Sequence, residues 1–301
     1  MTTGRKTSHR VQTRKAHSVP QVYLRYFTST SDVCIRNPIA AKIWRFNKTT
    51  QKADQAKIAA VAHQRDLYTY HWGREDMVSF EETFSRWEGG YAQVLRELHA
   101  APHINTLLER KDALASFVAF QYLRTTLMQD LVRQYWELLD ANQLGAEHPR
   151  PEKDEIKIGH MSLIVRDLDR AADIFRRKNW VLLHNDTDEL FYSSDTPVTA
   201  VNPLRGRRTP DLLPISNGVE MHFPLSPRLA LLMYNRGEYR DEQFESIAEL
   251  EDVAAINRQQ VWWSQRYLFS AANNFEMADK MTSGWAELKN PRRQRIFWPG
   301  A

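Results

Sequence analysis

The stretch Phe80-Glu-Glu-Thr-Phe-Ser-Arg-Trp-Glu-Gly-Gly-Tyr-Ala-Gln-Val-Leu-Arg-Glu-Leu98 places its large apolar side chains three or four residues apart. This spacing predicts an amphipathic α-helix, because 3.6 residues complete a turn and the apolar side chains then share one face. Similar spacing predicts a second helix over about residues 105–140 and a third over about residues 162–178. The first half of the chain is therefore expected to be built on long helices.

From Trp180 onward the period of the apolar residues changes from helical to strand-like. Strands are predicted at residues 33–36, 43–46, 181–183, 190–192, 197–201, 220–223 and 229–234, and a last helix at residues 247–269. The turn residues Asn185-Asp186-Thr187-Asp188 favour a hairpin between two of these strands. The sequence thus predicts a helix-rich α+β fold, with long central helices packed against an antiparallel sheet in the C-terminal half.

Composition excludes several classes of protein. The 301 residues are 42% hydrophobic and 26% charged, which is typical of globular domains and not of disordered chains. The single Cys34 excludes an internal disulfide and a zinc site built from cysteines. No segment approaches the roughly 18 apolar residues of a membrane span, and the N-terminus has no apolar signal core. We therefore expect a cytoplasmic protein with no membrane partner.

Charge is unevenly distributed along the chain. Lys and Arg number 41 against 37 Asp and Glu, and 29 of the basic residues are arginine, whose planar fork suits carboxylates and phosphates. Residues 1–16 are polar and basic and offer little to bury, so they are predicted to form a flexible tail. The alternative for this tail is an arm that binds nucleic acid. Residues 17–301 are predicted to form a single α+β domain.

No standard catalytic signature is present. The glycine-rich nucleotide-binding patterns, the His-Glu-x-x-His zinc motif and the Gly-x-Ser-x-Gly nucleophile turn are all absent from the sequence. This argues against dinucleotide enzymes, P-loop NTPases, zincins and α/β-hydrolases. Candidate functional residues must therefore come from less specific features.

His17 lies immediately before a short helix predicted to start at Pro20. Its imidazole could act as a general base at neutral pH, or it could be a structural staple at the helix start. Gln21 and Arg25 are four residues apart and share one face of that helix. Arg25 could bind an anion with both of its terminal nitrogens, or it could pair with an acid of the central helices.

Glu88 lies at the edge of the apolar stripe of the first long helix. A carboxylate in such a place needs a partner, and Arg124, with Gln121 three residues before it on the next helix, is the natural complement. Two interpretations remain open, namely a salt-bridge network between helices and a functional site built from that network.

Polar residues also follow the strand predicted at residues 190–192. Asp195, after Ser194, could be a metal ligand, a base or the partner of His17, and the alternative is that both side chains satisfy turn amides. Asn257 falls on the apolar side of its helix, where it could fix packing or reach a site.

Four ordered motifs carry a resemblance to a known family. They are His17-x-Val-Pro-Gln-x-Tyr-Leu-Arg-x-Phe27, Glu81-x6-Glu88-Gly89, Gln121-x2-Arg124-Thr125 and Ser194-Asp195-x-Pro197-Val198. Together with Pro224-Leu-Ser-Pro227 and Asn257, they resemble the bacterial domain of unknown function family 4238 over about residues 16–270. Ser18, Thr126 and Thr196 depart from the residues common in that family. The family has no assigned activity, so the resemblance implies a fold and candidate residues without a reaction.

These features lead to two main functional hypotheses. The first is an enzyme acting on an anionic substrate, by nuclease-like hydrolysis of a phosphodiester or nucleic acid. In this hypothesis His17, Asp195 and Glu88 are catalytic, and Gln21, Arg25, Arg124, Ser194 and Asn257 bind the substrate. The alternative is a non-catalytic binding or regulatory module in which the same residues form a structural polar network.

The partner expected from the charge is nucleic acid or a phosphorylated ligand, and a nucleic-acid binder without chemistry is a third hypothesis. The sequence leaves the cofactor unknown, with a divalent metal open, and it leaves the oligomeric state unknown.

Overall fold

The computed structural model describes residues 15–28, 41–72, 76–139, 153–202, 219–235 and 244–296. The α-helices in these ranges are α1 Gln21–Leu24, α2 Glu81–Ala100, α3 Ile104–Glu109, α4 Lys111–Leu123, α5 Thr126–Leu139, α6 Lys153–Arg177, α7 Leu250–Trp263 and α8 Glu276–Gly284. The strands are β1 Lys15–His17, β2 Lys42–Asn47, β3 Lys52–Lys57, β4 His63–Arg65, β5 Thr69–Trp72, β6 Asp76–Ser79, β7 Asn179–His184, β8 Ser193–Ser194, β9 Thr199–Val201, β10 Glu220–Ser226, β11 Leu229–Tyr234, β12 Phe244–Ile247 and β13 Tyr267–Ser270. The predicted helix-rich α+β class is confirmed.

Two larger sheets organise the strands. The first has the order β12-β7-β11-β10-β9, and its pairings are antiparallel except for the parallel pair β12–β7. The second has the order β3-β2-β13-β8 and is antiparallel throughout, so it joins strands from the two ends of the chain. Two-stranded ribbons pair β1 with β4 and β5 with β6.

The five-stranded sheet is covered on both faces. In β7, Trp180 and Leu182 belong to the main apolar core, whereas Val181 and Leu183 pack in a second core with Val253 of α7. Alternate residues of a strand point to opposite faces, so both faces of this sheet are buried. Helix α4 is buried almost all round, as expected of a helix in the centre of the main core.

Helix α7 lies between the two sheets. Its capping box joins Glu249 and Asp252, which explains why the helix begins at Leu250. Val253 packs on the five-stranded sheet, and Val261 packs in a third core with Leu268 of β13. The end of α7 is therefore held against the second sheet, where β13 follows it directly.

Several predicted boundaries are wrong. The hairpin expected between residues 181–183 and 190–192 does not form, because β7 pairs with β11 and β12 instead. The helix predicted at residues 247–269 ends at Trp263 and gives way to β13. By contrast, the hairpin predicted around residues 224–228 is confirmed as β10–β11, with an irregularity in register between Pro224 and Ser226.

The predicted tail ends earlier than expected. Ala16 belongs to β1, is 1% exposed and pairs with Gln64 of β4, so residues 15 and 16 are part of the folded body. The rest of the tail, and the strand predicted at residues 33–36, lie outside the described residues. No helix in the described ranges is both long and apolar enough to cross a membrane.

Candidate ligand-binding site

Arg124 is the centre of a buried polar network. Its guanidinium donates from Nη1 to Glu88 Oε1 at 2.6 Å, from Nε to the hydroxyl of Tyr68 at 3.2 Å, and from Nη2 to the main-chain carbonyl of His17. The guanidinium carbon also lies 4.5 Å from the centre of the Phe120 ring. Each guanidinium nitrogen thus has a protein acceptor, so Arg124 is already satisfied by the fold.

Tyr68 completes this network from the other side. Burial raises the pKa of its hydroxyl to about 12, although the nearby Arg124 charge opposes the rise. The hydroxyl therefore keeps its proton at neutral pH, and it donates this proton to the carbonyl oxygen of Arg124 at 2.8 Å. The helix end that presents Arg124 is fixed in this way.

The motif Gln121-x2-Arg124 binds the main chain of the motif that begins at His17. Arg124 binds the carbonyl of His17, and Gln121, three residues earlier on α4, donates to the carbonyl of Ser18 at 3.2 Å. Residues three apart on a helix share a face, so the two side chains reach two consecutive carbonyl groups. The spacing Gln-x-x-Arg is explained by this two-point attachment.

The side chain of His17 is not occupied by Arg124. It is half-buried, its Nε2 lies 3.4 Å from Gln21 Nε2, and its ring is edge-on to His63 with centroids 5.8 Å apart. The first turn of α1 thus brings the Gln21 amide to the His17 ring. The side chain of Arg25, one turn further on, is half-buried and makes no hydrogen bond or ion pair within the described ranges.

Asp195 lies in a separate group of contacts. Its carboxylate accepts the main-chain N–H groups of Gln265, Arg266 and Tyr267 at 2.7–2.9 Å. Burial raises the pKa of this carboxyl, while the three N–H donors and the Lys48 charge oppose the rise. Asp195 is 5% exposed and anchors the turn between α7 and β13, as the alternative of a residue that satisfies turn amides expects.

Ser194 and Asn257 are also engaged in the fold. Ser194 donates to Gln260 Oε1 at 2.7 Å, and Asn257 accepts the N–H of Tyr192 at 2.7 Å and donates to the carbonyl of Leu190 at 2.9 Å. Two side chains of α7 therefore hold the segment before and through β8. The contacts of Ser194 and Asn257 are therefore those of residues that satisfy polar groups of the fold.

The contacts thus divide the predicted site residues into two groups. His17, Gln21, Glu88 and Arg124 lie together at the start of α1 and the end of α4, and their predicted complement Glu88–Arg124 is confirmed. Ser194, Asp195 and Asn257 form the other group around α7, and Arg25 has no bond to either.

A polar cleft of about 240 Å³ lies between these two groups. Gln64 of its wall pairs with Ala16 beside His17, Thr126 is two residues beyond Arg124, and the N–H of Gln265 binds Asp195. The remaining lining residues are Gln129, Asp130, Arg133, Ile156, Lys157 and Arg292. The sequence did not point to this cleft, because its lining residues come from five separate segments of the chain.

The lining of the cleft is cationic. Arg133 is neutralised by Asp130 at 2.8 Å and by Glu137 at 2.5 Å. Lys157 donates to the carbonyl of Thr69 at 2.7 Å, and with Arg133 and Arg292 it is one of three basic residues in the lining, against the single acid Asp130. Arg292 is exposed at the rim and forms no ion pair within the described ranges. An anion in the cleft would therefore meet a net positive wall.

The cleft also holds a polar atom without a hydrogen bond. Gln129 Nε2 is buried and has no acceptor among the described residues. A buried N–H donor without an acceptor costs free energy, so this position favours a ligand that brings an oxygen. Gln64, Gln265 and Thr126 offer further polar groups around it.

Metal binding has no support from clustered ligands in the described ranges. Within them, no group of three or more His, Cys, Asp or Glu side chains is placed to hold a metal ion.

These features define a helix-rich α+β protein with a cleft beside two buried polar networks, each built from short sequence motifs. The chain matches the family described as "Protein of unknown function (DUF4238)" over residues 15–274, and it belongs to that family. The resemblance seen in the four motifs is therefore confirmed at the level of the family. No solved structure matches the chain.

Proposed function

We propose that this protein is a non-catalytic binding module that takes a small anionic ligand, such as a phosphorylated compound, in the cleft. The observation that supports this proposal is a contrast in hydrogen bonding. The motif residues Arg124, Asp195 and Asn257 are satisfied by the fold, whereas Arg292 and Gln129 at the cleft have donors to offer. A site for ligand is expected where donors lack partners.

The chemistry of the cleft favours an oxyanion over a neutral ligand. A guanidinium gives charge-assisted hydrogen bonds, which are stronger than neutral ones, and Arg292 supplies one at the rim. Lys157 adds positive charge at the wall. The volume of about 240 Å³ accommodates a phosphoryl group with a small attached moiety. Within the predicted partner classes, a phosphorylated small ligand or a strand end is therefore favoured.

Isothermal titration with inorganic phosphate and with a 5′-phosphorylated dinucleotide tests this proposal. We expect the dinucleotide to bind, and Arg292→Gln and Gln129→Ala each to weaken binding about tenfold, the effect of losing one charge-assisted or buried hydrogen bond. Arg166→Gln is the matched control, because Arg166 lies on the exposed surface of α6 and its side chain is 75% exposed. Unchanged affinity in both cleft variants would refute the cleft as the site.

The hydrolase hypothesis is a second candidate, and one observation favours it. The imidazole of His17 is half-buried beside Gln21 and His63, and its main-chain carbonyl is held by Arg124. Such a histidine could remove a proton from an attacking water. In this candidate function His17 would be the base, and Glu88 and Asp195 would keep structural roles.

Hydrolysis of bis(p-nitrophenyl) phosphate, with and without Mg²⁺ or Mn²⁺, separates the two candidates. If the protein is a hydrolase, His17→Ala abolishes turnover while the melting temperature stays near that of the parent. If the binding module is correct, neither protein turns over the substrate. The single cysteine is consistent with a reducing compartment, and we propose a cytoplasmic location on that basis.

A further inference from the structure

Three cationic side chains converge on the C-terminal end of α7. They are Lys48 from the loop after β2, and Arg293 and Arg295 from the segment that follows the last described helix. Their hydrogen bonds go to the main-chain carbonyl oxygens of Val261, Trp262 and Ser264. These carbonyl groups lack partners within the helix and carry the negative end of its dipole, which explains why cations gather there.

Carboxylates act on these cations from a distance. Asp195 acts on both Lys48 and Arg295, and it already accepts three main-chain N–H groups. Burial, together with repulsion from Arg295, lowers the pKa of Arg293 to about 9, although Glu287 opposes this change. Burial also lowers the pKa of Arg295 to about 10, although Asp195 and Asp130 oppose this change.

Two of these cations also have unpartnered hydrogen-bond donors. Arg293 is 7% exposed and Arg295 is 5% exposed, and Arg293 Nη1 and Arg295 Nε have no acceptor within the described ranges. A buried guanidinium N–H without an acceptor is costly, more so when its charge is not balanced. Two cationic donors without acceptors therefore point to an anion with several oxygen atoms as their partner.

We propose that Arg293 and Arg295 form a binding site for a tetrahedral oxyanion, phosphate or sulfate in chemistry, which fixes residues 291–296 against the end of α7. The oxyanion would accept from Arg293 Nη1 and Arg295 Nε and would offset the charge of Lys48. The cleft offers a route to this site, because Arg292 and Gln265 line it and are chain neighbours of Arg293 and Ser264. The site is distinct from the cleft and does not depend on the proposed function.

The anion could be free phosphate or the phosphoryl group of a larger ligand, and one experiment separates these sources. The full chain is titrated with sodium phosphate against sodium chloride at equal ionic strength, and thermal unfolding is followed. We expect a saturable rise in melting temperature of about 3 °C or more with phosphate only, as for a ligand well above its Kd. Arg293→Met, which keeps an apolar stem over Trp262, and the milder Arg295→Lys are expected to lose this rise.

Variants at the cleft distinguish binding at Arg293 and Arg295 from binding in the cleft. The exposed control Arg166→Gln is expected to keep the rise, and Arg292→Gln to lose less of it than Arg293→Met does. A rise lost in Arg292→Gln but kept in Arg293→Met would place the anion in the cleft and overturn this proposal while supporting the proposed function. An equal rise with chloride, or in every variant, would mean an adventitious ion only and would also overturn it.

Direct binding covers the case in which the variants do not fold. Isothermal titration of the unaltered protein with inorganic phosphate should then give one site per chain that sulfate competes for. Absence of such a site would overturn the proposal without touching the test with the dinucleotide.

Discussion

The guanidinium of Arg124 lies 2.6 Å from the carboxylate of Glu88, in a position where the arginine side chain is 1% exposed and the glutamate side chain 22% exposed. Glu88, whose carboxylate balances the positive charge of Arg124, is thus nearer to solvent than Arg124 itself. Because the same guanidinium also holds the carbonyl of His17, the ion pair links α2, α4 and β1. Its contribution to the protein is therefore expected to be structural.

Arg124→Ala is predicted to destabilise the protein by about 3 to 5 kcal/mol, the cost of breaking a buried ion pair by removing one partner. The change leaves the Glu88 carboxylate and the His17 carbonyl without their donor. Glu88→Gln should cost much less, because the amide oxygen can still accept from Arg124 and the side chain is partly exposed. Urea unfolding of both variants and of the double variant measures the coupling, and a loss under 0.5 kcal/mol in Arg124→Ala, roughly the range of surface substitutions, contradicts the prediction.

Ala16→Lys is predicted to lower the melting temperature by several degrees, because Ala16 is 1% exposed in β1 and a lysine would bury its ammonium. If residues 15 and 16 instead belonged to a flexible tail, the same change would have no effect. Thermal unfolding followed by circular dichroism distinguishes the two. Lys57→Ala on β3, where Lys57 is exposed, is the control for a general effect of altered charge.

The helical half of the fold could be predicted because period and burial agree there. Phe84 and Leu95 of α2 fall on one face in the sequence, and both are buried in the structure. The confirmed pair Glu88–Arg124 follows from the same logic, since a carboxylate at the edge of an apolar face requires a cation within reach. In α2 the apolar pattern that predicts the helix therefore also predicts that Glu88 has a cationic partner in the tertiary structure.

The strands in the second half were harder to pair. Residues 190–192 have the apolar character of a strand, but the N–H of Tyr192 is taken by the side chain of Asn257, sixty-five positions later. Turn chemistry at Asn185 favoured a local hairpin, whereas the long-range contact decided the outcome. A single sequence contains no signal for such a contact.

The candidate site also has local contacts, which a sequence can suggest, and long-range contacts, which it cannot. The contact between His17 and Gln21 is local, between residues four apart, although the sequence spacing was read only for Gln21 and Arg25. The cleft brings together Gln64, Thr126, Gln265 and Arg292, which no sequence period connects. Arg292 belongs to a basic run that ends in Arg295, and this run was the one signal that could have drawn attention to the C-terminal segment.

Asp195→Asn is predicted to destabilise the protein by about 2 to 4 kcal/mol, because one oxygen acceptor is replaced by an NH2 group that faces main-chain N–H donors. The change also removes the negative charge beside Lys48 and Arg295. Denaturant unfolding at neutral pH measures the loss. If Asp195 served catalysis instead, stability would stay within about 0.5 kcal/mol of the parent and only turnover would fall.

His160 predicts how stability depends on pH. This residue of α6 is fully buried and donates from Nε2 to the carbonyl of Leu123 at 2.8 Å, while its Nδ1 has no hydrogen-bond partner among the described residues. Burial lowers its pKa from 6.5 to about 4, although the hydrogen bond to Leu123 opposes this change. The folded protein therefore resists protonation of His160, and the unfolded chain does not.

The sign follows from this difference in proton uptake. Between about pH 6.5 and 4 the unfolded chain binds more protons at this position than the folded protein, so stability falls as the pH falls. The contribution of His160 is fully present above pH 6.5, and its loss should amount to about 2 kcal/mol at pH 5 and about 3 kcal/mol below pH 4.

His160→Gln removes the titrating group and keeps an amide donor near the Nε2 position. Urea unfolding at pH 7.5 and 5.0 should show a smaller loss for this variant than for the parent, by about 2 kcal/mol, whereas the exposed control His71→Gln should match the parent. Equal losses in all three proteins would contradict the prediction that the buried imidazole of His160 stays neutral in the folded protein.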